Sequence, residues 1–230
     1  MKKPVLLLLF SCLFIVGVAQ NPKIEKPDYK KIESAVTDKN SPSFYPVLLG
    51  RYVKLDTTLT NQDFKMLYYG SLFQPSYSPY GHSDYNDSIR PILAKETLRN
   101  SDYESLIKFE KLVLVKFPFN MSDLNILEYA YEHSGNVESA KQTLFQLDHV
   151  IETILSTGDG KTEETAWHVV SVEHEYDILK MLGFRFGGEQ TLTNKGCDYL
   201  KVEQNKHDIK GFYFDVNKIL EAEEKVFKNK

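Results

Sequence analysis

The chain has 230 residues, with 28 Lys and Arg against 32 Asp and Glu and a formal charge of −4. That balance excludes the concentrated basic surface that a phosphate backbone requires, so no nucleic-acid partner is expected. Its only cysteines are Cys12 and Cys197, and a chain of this length buries a core without disulfide staples.

Met1-Lys2-Lys3, an apolar run over residues 5–16 and the small residues Gly17-Val18-Ala19 form the pattern of a secretory signal peptide. Cleavage is expected after Ala19, which removes two lysines and leaves an exported chain, periplasmic or extracellular. The run falls short of the roughly 20 residues of a membrane span. A lipid anchor on Cys12 is the rival reading; Phe10 fits it poorly, and residues 13–16 would be left apolar at the new end. No later stretch has spanning length, so no transmembrane segment is expected in the mature chain. Cys197 is then unpaired and is expected to be buried and inert.

After a polar lead over residues 20–28, apolar spacing predicts a helix from Tyr29, with Ile32, Ala35 and Val36 on one face. Ser41-Pro42 breaks it, and Phe44, Val47, Leu48 and Tyr52 define a second helix. Thr60-Asn61-Gln62-Asp63 reads as a capping box opening a third, which carries Phe64, Leu67 and Tyr68. Residues 74–86 hold two prolines, a glycine and three tyrosines, which suits a long ordered loop and neither a helix nor a central strand. A short helix over 87–98 follows. Ser101-Asp102-Tyr103-Glu104 reads as another capping box, for a helix that stops before Pro118. Ser122 and Asn136 are the expected caps of helices over 124–133 and 137–155, with Gly135 ending the first in the left-handed region.

Beyond the turn Gly158-Asp159-Gly160 the pattern shortens. It predicts a strand over 167–172, a helix over 173–182 and strands near 184–186, 190–193, 197–202 and 210–216. Asn194-Lys195-Gly196 suits a hairpin loop, and a last amphipathic helix covers 217–227. The fold class is therefore α+β. Helical hairpins fill residues 20–157, with the loop 74–86 inserted. A small antiparallel sheet with flanking helices fills 163–230, close enough along the chain to share one core with them.

Leu124, Leu127, Tyr131, Gly135, Ala140, Leu144 and Leu147 keep the spacing of one helical repeat, with Glu128 where a small residue belongs. Ser105, Phe109, Leu112 and Pro118 match the second half of a preceding one. This portion resembles tetratricopeptide (TPR) repeats. The mature chain, over about residues 27–220, also resembles an uncharacterised family of exported bacterial proteins known as a domain of unknown function. The resemblance rests on Leu67-Tyr68-Tyr69-Gly70, Ser78-Pro79-Tyr80-Gly81, Val172-Glu173-His174-Glu175-Tyr176 and Tyr213-Phe214-Asp215-Val216. It implies export and transfers no catalytic residue.

Tyr68, Tyr69, Tyr77, Tyr80, His82 and Tyr85 are the candidate binding residues, because tyrosine offers a flat apolar ring with a polar tip. Folding the loop down onto the helices is the structural alternative for the same rings. His168, Glu173 and His174, with Glu175 and Asp177 nearby, are the densest set of possible zinc ligands, although Glu173 and Glu175 also suit the positive end of a helix. Gly160-Lys161-Thr162 ends like a phosphate loop but lacks the glycine five places earlier and reads as a turn. No nucleophile elbow is present, and no catalytic residue and no cofactor are assigned. Asp56-Thr57-Thr58 and Asp87-Ser88-Ile89 resemble short O-glycosylation triplets. The leading expectation is an exported, non-enzymatic module or scaffold that binds a protein or glycan partner. The alternatives are a carboxylate-dependent hydrolase of envelope or dietary polymers and a metal- or small-ligand-binding domain.

Overall fold

The computed structural model describes residues 24–78, 83 and 85–228; the expected signal segment 1–19, Tyr80 and His82 lie outside the described residues. In chain order the elements are α1 (Tyr29–Thr37), α2 (Tyr45–Val53), α3 (Asn61–Gly70), α4 (Asn86–Leu93), α5 (Asn100–Lys116), α6 (Met121–His133), α7 (Val137–Leu155), β1 (Trp167–His168), α8 (Val172–Met181), β2 (Phe186–Leu192), β3 (Cys197–Val202), β4 (Gly211–Asp215) and α9 (Asn217–Lys228). The helices precede a four-stranded sheet of order β1-β4-β3-β2, so the class is α+β. Among the described residues no helix is long and apolar enough to cross a membrane.

Local hydrogen bonds start the helices. Asp28 accepts from the Lys31 amide at 3.1 Å, and Thr60 and Asp63 exchange the two bonds of a capping box at 3.2 and 2.9 Å. Two expected caps are displaced. The helix placed at Ser101 starts earlier, and Asp102 reaches back to accept from the Arg99 amide at 3.0 Å. The cap of α6 is Asn120, which accepts from the Asp123 amide at 3.0 Å, and this frees the Ser122 hydroxyl to donate to Asp177 at 2.7 Å. Asn136 caps α7 and Gly135 turns at φ 85° as expected.

The sheet is mixed where the sequence suggested a purely antiparallel one. Strands β2, β3 and β4 are antiparallel neighbours, but β1 runs parallel to β4, pairing Trp167 with Phe214 and His168 with Asp215. The expected strand over 167–172 is cut to two residues because the chain leaves the sheet for α8. The two strands expected near 184–186 and 190–193 are one strand, carried across a register shift between Phe186 and Gln190 where Gly188 takes φ 83°. A glycine in a strand permits such a bulge.

One hydrophobic core joins the helices to the sheet. It runs from Ile32, Leu48, Phe64 and Leu67 through Leu147 and Ile154 of α7 to Leu200, Phe212 and Phe214. Helix α3 is its axis. Met66 and Tyr69 are buried along with Phe64, Leu67 and Tyr68, so α3 is enclosed on more sides than its spacing suggested. Gly70 lets α1 approach, since a Cβ there would meet Val36 at 2.8 Å. A second cluster, Ile89, Leu106, Val113 and Ala130, holds α4, α5 and α6 together. In the helical pair α6–α7, Leu127, Tyr131 and Ala140 pack on one another. Leu147 is fully buried, whereas Leu112 and Leu144, expected in the repeat core, are 37% and 36% exposed. The Gly160-Lys161-Thr162 segment is a turn whose Gly160 carbonyl accepts from the Tyr213 amide at 2.8 Å.

Candidate functional site

A cleft of about 110 Å³ lies where α2, the segment after α3, the α5–α6 corner and the start of α8 converge. Its walls carry Tyr45 and Leu49 from α2, Tyr77 from the loop, and Phe117 and Phe119 from the corner. Gln74, Ser76, Lys116, Asn120, Glu173 and His174 supply the polar lining. A concave hollow that combines aromatic walls with placed polar groups is a common form of small-ligand site.

The floor is set by one buried chain of hydrogen bonds. The Tyr68 hydroxyl meets His174 Nδ1 at 2.7 Å and accepts from the Val170 amide at 3.3 Å. The Tyr77 hydroxyl donates to the Val170 carbonyl at 2.7 Å. Burial lowers the His174 pKa to about 4, against a smaller opposing effect of the Phe119 backbone, so the ring is neutral. Burial likewise raises the Tyr68 and Tyr69 hydroxyls well above their usual range. At the rim, Asn120 Nδ2 donates to Glu173 Oε2 at 3.0 Å and ties the corner to α8.

Three residues singled out in the sequence line the cleft, Tyr77 in the wall and Glu173 and His174 at the start of α8, and a fourth, Tyr68, bonds His174 from beneath the floor. Tyr69 lies behind them, its hydroxyl 3.3 Å from the Thr153 and His168 carbonyls. Tyr85 sits elsewhere, against Phe109 in the second cluster. His168 does not join His174. Its Nδ1 bonds Tyr29 at 3.1 Å and lies 3.8 Å from Asp215, and burial, the largest influence, lowers its pKa. Among the described residues no group of three or more His, Cys, Asp or Glu side chains is gathered to hold a metal ion. Asp56 of the first triplet accepts from the Thr58 amide at 2.9 Å and pairs with Arg51 at 2.8 Å.

The cleft residues that the sequence reading passed over are Tyr45, Leu49, Lys116, Phe117, Phe119 and Asn120. Their signal in the sequence is Phe117-Pro118-Phe119-Asn120, two aromatic residues flanking a proline between two helices, where the spacing by itself marks only a helix stop.

The family described as a domain of unknown function (DUF4919) matches residues 30–225. No curated protein and no solved structure matches the chain.

Proposed function

The chain belongs to that family of domains of unknown function, and from its geometry we propose that it is an exported, non-enzymatic binding protein whose cleft takes one sugar ring of a glycan partner. The observation that carries this reading is the pairing of aromatic walls with an amide–carboxylate rim, Asn120 bonded to Glu173 at 3.0 Å. A sugar presents a C–H face that packs on aromatic rings and hydroxyls that bond to such a planar polar pair. The buried floor favours binding over reaction, because His174 is neutral and its Nδ1 is already engaged by Tyr68.

A protein partner is the second reading. It is favoured by the helical pair α6–α7, whose TPR-like positions Leu127, Tyr131 and Ala140 pack together, and stacked helix pairs present extended binding surfaces. Hydrolysis ranks below both, since Glu173 is the one carboxylate among the described lining residues and glycoside cleavage uses two.

The test is a glycan array probed with the mature chain, followed by titration of the best glycan against wild type, Tyr77→Ala and Phe117→Ala. The reading expects a loss of at least about tenfold, or 1.4 kcal/mol, in both variants. Equal affinity in folded variants would place the site outside the cleft, and a blank array with capture of a peptide would favour the protein partner.

A further inference from the structure

The α5–α6 corner that walls the cleft stands in front of an unusual buried contact. Glu110 occupies a core position of α5, among Leu106, Val113 and Ala130, with no exposed surface. Neither of its carboxyl oxygens meets an N–H or hydroxyl partner. The polar group that faces it is another carboxyl, Asp123 of α6. A fully buried and a half-buried carboxylate that face each other repel when both are ionised, whereas one proton between them converts the contact into a charge-assisted bond.

The surroundings reinforce the demand for that proton. Asp123 also faces Glu173 and Asp177 of α8, and Lys180 is the cation beside Asp177. The charged residues of α4, Asp87 and Arg90, are exposed. Burial first, then the Asp123 charge at Glu110 and the Glu173 and Asp177 charges at Asp123, raise both carboxyls above the ordinary range, so the pair keeps its proton.

The pair is mechanically connected to the cleft. Glu110 lies upstream and Asp123 downstream of the corner residues Phe117 and Asn120, which line the cleft. Asn120 bonds Glu173 at 3.0 Å and Ser122 bonds Asp177 at 2.7 Å, so α6 is fastened to α8 directly beside the pair. We propose that the corner is a pH-gated wall, in which a proton shared by Glu110 and Asp123 keeps α5, α6 and α8 closed around the cleft and its release opens them. On losing the proton, the fully buried Glu110 is left charged against the half-buried Asp123, with two more carboxylates on the facing helix. Hydrating them requires the helices to part at the corner. The device acts on the protein alone and does not depend on which ligand the cleft takes.

The experiment is an NMR titration of the mature chain from about pH 5 to about pH 9, following the side-chain carboxyl carbons of Glu110 and Asp123 and the backbone amides of residues 117, 119 and 120. The expected result is that the pair and the corner amides titrate together across the neutral-to-alkaline range, and that Glu110→Gln and Asp123→Asn each abolish the corner transition. A Glu110 that ionises with ordinary carboxylates, or a corner that stays still while the pair titrates, overturns the proposal. So does a corner transition that persists unchanged in either folded variant. The wild-type titration alone decides the matter if a variant fails to fold.

Discussion

Two buried polar settings lie on either side of the cleft, and they are built on opposite terms. Beneath the floor, Tyr68 and His174 are neutral, and the Tyr68 hydroxyl and His174 Nδ1 bond each other, with the Val170 amide donating to the same hydroxyl. Behind the corner, Glu110 is fully buried without an N–H or hydroxyl partner for either oxygen. A satisfied network fixes geometry and ignores neutral pH, while a carboxyl contact holds only as long as its proton stays. The same fold thus pairs a rigid floor with a wall that responds to protons.

The largest test of that contrast is Tyr68→Ala. It empties a fully buried site at the core axis and leaves His174 Nδ1 and the Val170 amide unpaired. A loss of about 3–5 kcal/mol is expected by urea unfolding at neutral pH. A loss below about 1 kcal/mol would remove the floor network from the architecture.

The floor also has an acid limit. The His174 pKa, lowered by burial to about 4 from the usual 6.5, leaves the ring neutral in both folded and unfolded chains above the unfolded value. Below it the unfolded chain takes up a proton that the folded chain refuses. Stability therefore falls between those two values, by about 3 kcal/mol in all. Unfolding curves across that window should show the fall in wild type and a shallower one in His174→Gln; parallel curves would mean that His174 ionises in place.

On the sheet side, Glu175 provides a carboxyl to compare with Glu110. It is fully buried, its Oε1 has no hydrogen-bond partner, and burial followed by the Asp198 charge raises it to about 9. Because its folded pKa exceeds its unfolded one, the folded chain keeps a proton that the unfolded chain gives up, and stability falls as pH rises from the ordinary carboxylate range towards that value. Glu175→Gln should flatten that slope and gain about 1–2 kcal/mol near its upper end. The slope assigned to Glu175 should survive in Glu110→Gln. If one substitution abolished the whole alkaline loss, the two carboxyls would not be separate devices.

The smallest effect on stability is expected at Tyr77, half-buried in the loop and bonded to Val170 at 2.7 Å. Tyr77→Ala should cost about 1 kcal/mol while removing most of the binding to whatever the cleft takes. A stability loss as large as that of Tyr68→Ala would instead place Tyr77 in the floor.

How much of the site was legible differs residue by residue. Tyr77 is legible because tyrosines crowd a proline-containing segment, Tyr68 because it sits in a tyrosine pair on the helix just before it, and Glu173 and His174 because ionisable residues crowd the start of a helix. Their shared location was not legible, since Tyr68 and His174 are 106 residues apart and meet only through packing. Glu110 and Asp123 each read as one acidic residue on a helix. The apolar spacing of Leu106 and Val113 marks a buried face on α5, and Glu110 at its centre was the available hint.

The sequence by itself determined the helix starts at Tyr29, Thr60 and Asn136, the left-handed turn at Gly135, the β3–β4 segments and the α+β class. Those features depend on hydrogen bonds and apolar periodicity within a few residues of chain. The caps of α5 and α6, the parallel placement of β1, the enclosure of α3, the cleft and the carboxyl pair behind its wall were decided only in three dimensions. Each depends on which distant element arrives opposite, and that is settled by how the whole core packs.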